Sequence, residues 1–167
     1  MAYVSDMLSA AGVLGLGAVG WFGANFIGAP VIALRQTRQE ALGVAGRYGS
    51  VAPTSSDELR STAIKALNDA AAALMEQVRA DTFAVRKYCD WFGYDIGMAA
   101  GCLRALTTFP QGEHLVTAEK QKITRDAVFV SLGATWGLSA DEISAATEGI
   151  AEVRRQGAKR SKTSWVC

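Results

Sequence analysis

The pattern of apolar and charged positions divides the chain at Arg35. The 28 residues from Met7 to Leu34 include no charged side chain, and arginines follow at positions 35 and 38. A helix needs about 20 mostly apolar residues to cross the hydrocarbon core of a bilayer. The pattern therefore predicts one transmembrane helix over residues 7–34, preceded by a short N-terminal tail of residues 1–6.

A cleaved signal and a buried helix are the two alternatives to a membrane span. A cleaved secretory signal needs a basic residue before its apolar region, and the first six residues, MAYVSD, contain none. A hydrophobic helix buried in a soluble core is disfavoured by a charge-free run of this length. Pro30 is expected to kink or end the span.

Small residues recur every fourth position within the run. Such spacing gives a helix a flat face that a second helix can approach closely, from another copy or from a different membrane protein. Chance spacing in a run rich in glycine and alanine is the alternative. The predicted helix-packing residues are Ala11, Gly15, Gly20, Ala24 and Gly28.

The remainder of the chain has helical periodicity and no strand-like alternation. Residues 35–54 predict a juxtamembrane helix and turn. Apolar residues at steps of three and four from Ile64 to Phe92 predict one long helix, with Asp81 as the acidic exception on its seam. Three shorter helices follow, and the second of these, about 117–136, is expected to be the most buried. The fold class is therefore all-α: one transmembrane helix followed by a helical bundle over residues 55–156.

Two capping signals and a stop complete the predicted boundaries. Ser55 with Glu58, and Ser139 with Glu142, have the spacing of a capping box at a helix N-terminus. Gly157 is expected to end the last helix. Residues 157–167 would then form a basic tail.

Charge is distributed unevenly along the chain. Residues 57–153 carry 9 basic and 14 acidic side chains, a net of −5, whereas both flanks are basic. The positive-inside tendency places the N-terminus outside and the bundle in the cytoplasm, at the inner (plasma) membrane. Lipid is the expected partner of the basic residues, nucleic acid is disfavoured, and a solvated tail is the alternative. The membrane-surface residues are Arg35, Arg38, Arg154, Arg155, Lys159, Arg160 and Lys162.

No pattern of residues points to catalysis, a metal site or a cofactor. Cys89 and Cys102 with the single histidine, His114, are the nearest approach to a nucleophile and base, but both cysteines have apolar neighbours. The segment YCDWFGYD is a candidate interface, with a corner of the core as the alternative. Its candidate interface residues are Tyr88, Trp91, Phe92 and Tyr94.

The region from Trp21 to Val51 resembles a group of uncharacterised bacterial single-pass membrane proteins. Gly-Ala-Pro lies near the end of the apolar run, and LRQTRQEALGVAGRYGSV follows three residues later. In that group, a span ending in proline precedes Leu-Arg, a charged helix and a small helical domain. This chain departs from the pattern at Gln36 and Thr37, where further charge is expected. The resemblance implies an inner-membrane anchor and carries no activity over.

The expected function is non-catalytic. The chain would be a membrane-anchored scaffold or accessory subunit of a membrane protein complex, packing through its small-residue face and binding a partner with its bundle. The alternative is a membrane-tethered helical domain that binds a ligand or senses a signal. A small enzyme is a third option, which the sparse polar inventory disfavours.

Overall fold

The computed structural model describes residues 20–80, 82–111 and 118–163, and side chains of that range other than residues 111 and 156–163. These residues form a π-helical turn and seven α-helices, and no strand occurs among them. The all-α prediction is therefore confirmed for the described part of the chain. The elements are the π turn Gly23–Gly28, α1 Ala29–Tyr48, α2 Asp57–Ala80, α3 Phe83–Phe92, α4 Ile96–Leu106, α5 Thr108–Gln111, α6 Ala118–Ser131 and α7 Ala140–Thr163.

The chain stays helical through Pro30 instead of ending there. Proline has no backbone N–H to donate within a helix. Just before it, the Ala29 N–H bonds the Ala24 carbonyl, a five-residue step characteristic of the π turn. The π turn and α1 consequently form one continuous helical rod from residue 20 to Tyr48. We refer to residues 20–33 as the apolar segment.

Helix α1 is an integral part of the bundle, which corrects the predicted boundary at residue 55. Leu34, Ala41 and Ala45 are fully buried, and α1 packs against α2, α3 and α6. Leu34 is also the last residue of the charge-free run, so the predicted span and the bundle core overlap at this position. Alanine is a weak apolar signal in a sequence, which is why the pattern alone made α1 peripheral.

Helix α4 provides most of the core. Six of its eleven residues are buried, and it packs between α2 and α6. The prediction that the helix near 117–136 is the most buried was wrong, because only four of the fourteen residues of α6 are buried. The buried residues of α4 are Ile96, Ala99, Ala100, Cys102, Leu103 and Leu106.

The long helix predicted from Ser55 to Phe92 is two helices. Helix α2 ends at Ala80, and the Thr82 hydroxyl accepts a bond from the Val85 N–H at 3.4 Å to begin α3. The acidic exception, Asp81, lies at this break but outside the described residues. The first cap is Ser56 rather than Ser55, since its hydroxyl accepts from the Leu59 N–H.

The second capping box is confirmed. The Ser139 N–H donates to the Glu142 carboxylate at 2.8 Å, and the Glu142 N–H donates to the Ser139 hydroxyl at 3.3 Å. At its other end α7 continues through Gly157 to Thr163, so the predicted stop at Gly157 was wrong.

The order of the helices gives the bundle two distinct ends. Helix α2 runs antiparallel to α1 and is four residues longer, so its C-terminus reaches the level at which α1 begins. Helix α6 starts at the opposite end, where Gln121 donates to the Val51 carbonyl, and rises to Leu132 beside Arg38. We call the end from which the apolar segment leaves the apolar end, and the other the far end.

Candidate functional site at the apolar end

The apolar segment exposes large side chains that the described bundle leaves uncovered. Trp21, Phe22, Phe26 and Ile27 are each 56–60% exposed, and Phe22 stacks on Phe26 with ring centroids 4.5 Å apart. Asn25 is the single polar side chain among residues 20–33, and one of its amide N–H groups donates to the Trp21 carbonyl at 2.9 Å. The surface of the segment is therefore almost wholly apolar.

Among the described residues, no helix combines the length and the apolar character needed to cross a membrane. Residues 7–19 of the charge-free run lie outside the described part of the chain.

The small-residue face is uncovered where the structure describes it. Gly20 and Ala24 are exposed, and a Cβ added at Gly20 would meet nothing within 4 Å. The spacing of four assumes an uninterrupted α-helix, whereas the π turn changes the register before Gly28. Ala11 and Gly15 lie outside the described residues.

The structure separates the two arginines that follow the run. Arg35 is exposed. Arg38 is half-buried, donates from Nε to the Leu132 carbonyl at 2.6 Å, and lies over the Tyr94 ring at 4.8 Å. The Arg38 guanidinium thus joins α1 to the chain that follows α3 and to the end of α6.

Tyr94 is held in a tight corner on its other side. Gly133 has φ +67°, and a Cβ at that position would approach the Tyr94 ring to 2.5 Å. The next residue, Asp95, donates its backbone N–H to the Ser131 carbonyl at 2.8 Å. The Ser131 hydroxyl beside this bond is buried and has no hydrogen-bond partner among the described residues. Close packing of the ring against the backbone therefore requires glycine at position 133.

Asp95 connects this corner to the basic helix α7. One carboxylate oxygen caps α4 by accepting from the Met98 N–H at 2.9 Å, and the other pairs with Arg154. Since α7 starts beside Lys122, which pairs with Glu142, it rises toward the apolar end as α6 does. The nine residues from Arg155 to Thr163 extend the helix past this contact.

Four of the five predicted membrane-surface residues of α7 fall on this extension, and the fifth, Arg154, is the residue that pairs with Asp95. Arg155 is exposed and lies 3.5 Å from Glu152, one turn earlier. The backbone positions of the other three are helical, while their side chains lie outside the described residues. Those three residues are Lys159, Arg160 and Lys162.

The four candidate interface residues form one cluster of rings. Phe92 lies 4.6 Å from Tyr88, 5.6 Å from Tyr94 and 6.0 Å from Trp91 between centroids. Tyr88 and Tyr94 are half-buried, Phe92 is exposed and Trp91 is 86% exposed. The two half-buried tyrosines thus pack at the corner described above, whereas Phe92 and Trp91 are available to a partner.

A cleft of about 450 Å³ opens beside this cluster, between the end of α2, helix α3 and the start of α4. Its polar lining combines two acidic and two basic side chains with the thiol of Cys89. Burial and the neighbouring Asp90 raise the pKa of that thiol, whereas an activated thiol needs a lowered one. The charged lining residues are Arg86, Asp90, Asp95 and Arg154.

The described residues include only two members of the candidate catalytic trio, Cys89 and Cys102. Cys102 is buried in α4, where desolvation raises the pKa of its thiol to about 11, and His114 lies outside the described residues. Over residues 20–80, 82–111 and 118–163, no three His, Cys, Asp or Glu side chains are grouped to hold a metal ion.

Sequence reasoning missed three residues of this end. Phe83 begins α3 and is 75% exposed, Asp95 is both a cap and an ion-pair partner, and Gly133 fits under a ring 39 positions earlier. The Asp-Ile-Gly-Met order at Asp95 is a weak capping signal. The other contacts join distant positions that a single sequence does not pair.

No family model, curated protein or solved structure matches the chain.

Proposed function

We propose that the protein is a single-pass anchor of the inner membrane. It would act as a non-catalytic scaffold or accessory subunit of a membrane protein complex, with its N-terminus outside and its bundle in the cytoplasm. The observation that carries this proposal is the exposed apolar segment. Lipid and a second membrane helix are the partners that its surface suits.

The energetics favour removal of the segment from water. Fully burying a large apolar side chain is worth roughly 1.5–3 kcal/mol. Five such side chains of the segment are more than half exposed, which leaves on the order of 5 kcal/mol of unused burial. The charge-free run also continues back to Met7, giving enough residues for a span before α1 enters the bundle. The five side chains are Trp21, Phe22, Phe26, Ile27 and Ile32.

Orientation is supported by the charges at the apolar end. Arg35 is exposed at the end of the segment, and α7 carries its basic residues toward the same end. Lys and Arg close to a span favour the cytoplasmic side, where anionic lipids attract them by about 1 kcal/mol each. The exposed arginines at this end, Arg35 and Arg155, therefore suit the inner leaflet.

Membrane insertion is tested by a charge in the apolar segment. Phe26→Lys places an ammonium inside the predicted span at a cost of up to roughly 2.5–3.5 kcal/mol, the value for a helix centre, so it should move protein from the carbonate-resistant membrane fraction to the supernatant. Trp136→Lys is the matched control, since Trp136 is 87% exposed on the bundle. Equal extraction of the parent chain and both variants would reject an anchor.

The partner is tested through the small-residue face. Gly20→Ile should abolish co-purification of a membrane partner in mild detergent, or dissociate a homo-oligomer. Gly43→Ile is the control, because a Cβ at Gly20 or at Gly43 meets none of the described residues within 4 Å, and both glycines are exposed. A chain that purifies alone as a monomer would argue against an accessory subunit. Labelling of Cys167 from the periplasmic side would reverse the proposed topology.

The cleft beside α3 favours a second candidate, a membrane-tethered domain that binds a ligand. Its volume lies in the range of small-molecule sites, and paired acidic and basic side chains suit a small zwitterion. An amino acid present at about 100 times its dissociation constant would stabilise the fold by roughly 2.7 kcal/mol. A thermal-shift series with free amino acids tests this, with Arg154→Gln as the variant that should lose the shift.

A further inference from the structure

The N-terminal end of helix α3 is the end that contacts the apolar segment. It contacts both α1 and the π turn Gly23–Gly28. Its C-terminal side leads to Tyr94, which lies against Arg38, ten residues and about 15 Å beyond Gly28 along the rod. Helix α3 also begins where α2 ends, at the apolar end. The contact with the π turn therefore belongs to the N-terminal end of α3, where Phe83 is located.

The surface of α3 is two-sided. Val85 is 5% exposed and faces the core, while Phe83 is 75% exposed on the outer side. Lys87 lies one turn after Phe83 on the same side and is exposed, as is Arg86. An aromatic ring followed by basic side chains is the composition of helices that contact membrane interfaces.

The axial distance from Phe83 to Lys87 matches the thickness of the headgroup layer of a bilayer. A bilayer of about 40–45 Å with a hydrocarbon core of about 30 Å has roughly 5–7 Å of headgroup layer on each side. Four residues of helix separate Phe83 from Lys87 by about 6 Å along the axis. A ring at the edge of the hydrocarbon would therefore put the ammonium among the phosphates.

We propose that α3 is a second bilayer contact beside the apolar segment, with Phe83 at the edge of the hydrocarbon and Lys87 at the headgroups of an anionic leaflet. This inference rests on the proposed function, because the contact between α3 and the π turn identifies the membrane only if the apolar segment lies in it. Continuity with that segment selects lipid, rather than another protein, as the material that covers Phe83.

The experiment uses the full chain with a fluorophore on one introduced cysteine. Three variants place this cysteine at three different positions. The background is Cys89→Ser with Cys167→Ser, and the buried Cys102 is retained. Phe83→Cys is compared with Phe26→Cys in the apolar segment and with Trp136→Cys on the bundle. Proteins are reconstituted in vesicles of phosphatidylcholine and phosphatidylglycerol that contain a shallow spin-labelled lipid. Aqueous iodide is the second quencher.

The expected result is several-fold stronger lipid quenching at positions 83 and 26 than at 136, with the reverse order for iodide. Lipid quenching at 26 but not at 83 would overturn this inference and leave the proposed anchor standing. Absence of lipid quenching at all three positions would overturn the anchor itself. Shielding of position 83 from both quenchers would overturn the lipid contact in favour of a protein contact.

A charge variant tests the role of Lys87. In the anionic vesicles, Lys87→Glu should lower lipid quenching at position 83 several-fold, and in vesicles of phosphatidylcholine alone the loss should be small. Lys65→Glu is the matched control, because Lys65 is exposed on the N-terminal half of α2, toward the far end. Equal loss with both variants would show that the effect is not local and would overturn the role of Lys87.

Discussion

Arg38 and Arg35 should differ sharply when each is replaced by methionine, although both follow the same apolar run. Arg38→Met removes the 2.6 Å bond to the Leu132 carbonyl and the contact with the Tyr94 ring. A hydrogen bond to a charged group is worth about 1.5–3 kcal/mol. A cation over a ring adds roughly 0.5–2 kcal/mol. Because methionine retains some packing of the lost side chain, we expect Arg38→Met to cost about 2–4 kcal/mol in total.

The assay is thermal unfolding of the full chain in detergent, followed by helical circular dichroism. For a chain of this size, each kcal/mol corresponds to about 2–4 °C, so Arg38→Met should lower the midpoint by roughly 5–15 °C. Arg35→Met should lie within about 0.5 kcal/mol of the parent, since Arg35 is an exposed residue. Equal midpoints for the two variants would show that Arg38 does not hold the apolar end together.

Three further changes have defined outcomes. Gly133→Ala should destabilise the fold by about 2–4 kcal/mol, because alanine at φ +67° is strained and its Cβ meets the Tyr94 ring, as chemical denaturation would show. Leu103→Ala should cost about 2–5 kcal/mol in the same assay, since Leu103 is fully buried. Hydrogen bonds from Lys122, which has the largest effect, and from the Ser139 N–H and hydroxyl lower the pKa of Glu142 from 4.5 to about 2, so the stabilising effect of the ionised carboxylate is complete above pH 4.5 and is lost as pH falls toward 2. The difference in melting midpoint between the parent chain and Glu142→Gln should shrink over that interval.

Each of these predictions has a control variant or an outcome that would contradict it. Gly101→Ala is the control for Gly133, since Gly101 is exposed in open space and alanine there should be neutral or slightly stabilising. Trp91→Ala, at an exposed position, is the control for Leu103. A Glu142→Gln difference that is constant from neutral pH down to pH 2 would rule out the ion pair as its source.

Local signals in the sequence were sufficient where a helix is defined by its own residues. The reciprocal bonds of Ser139 and Glu142 form as their spacing predicts, and Leu67 and Leu74 occupy the buried seam of α2. The break before Phe83 is marked in the sequence by an acidic residue, which does not by itself identify a new helix. The new helix begins because Thr82 has an extended backbone and caps α3. Periodicity alone does not distinguish Thr82 from the other polar residues of this stretch.

Long-range contacts account for most of what the sequence did not reveal. Arg38 bonds a carbonyl 94 positions away, and nothing near it in the sequence separates it from Arg35. Helix α1 enters the core largely through Ala41 and Ala45, whose small side chains gave little hydrophobic signal. The candidate site was therefore recognised only as separate parts: an apolar run, an aromatic segment and a basic tail. The structure places the described part of the apolar run and the aromatic segment at one end of the bundle, and the basic helix α7 runs toward the same end.

The π turn fixes the azimuth of the apolar segment about the helix axis. The rod is continuous from residue 20 into the core at Leu34, so each face of the segment has a set angle relative to the bundle. Deleting one residue within Gly23–Gly28 would change that angle by about 100°. A neighbouring helix that recognises Gly20 would then meet the bundle from a different side. The phase of the helix, and not only its composition, thus determines which surface of the bundle faces whatever the segment binds.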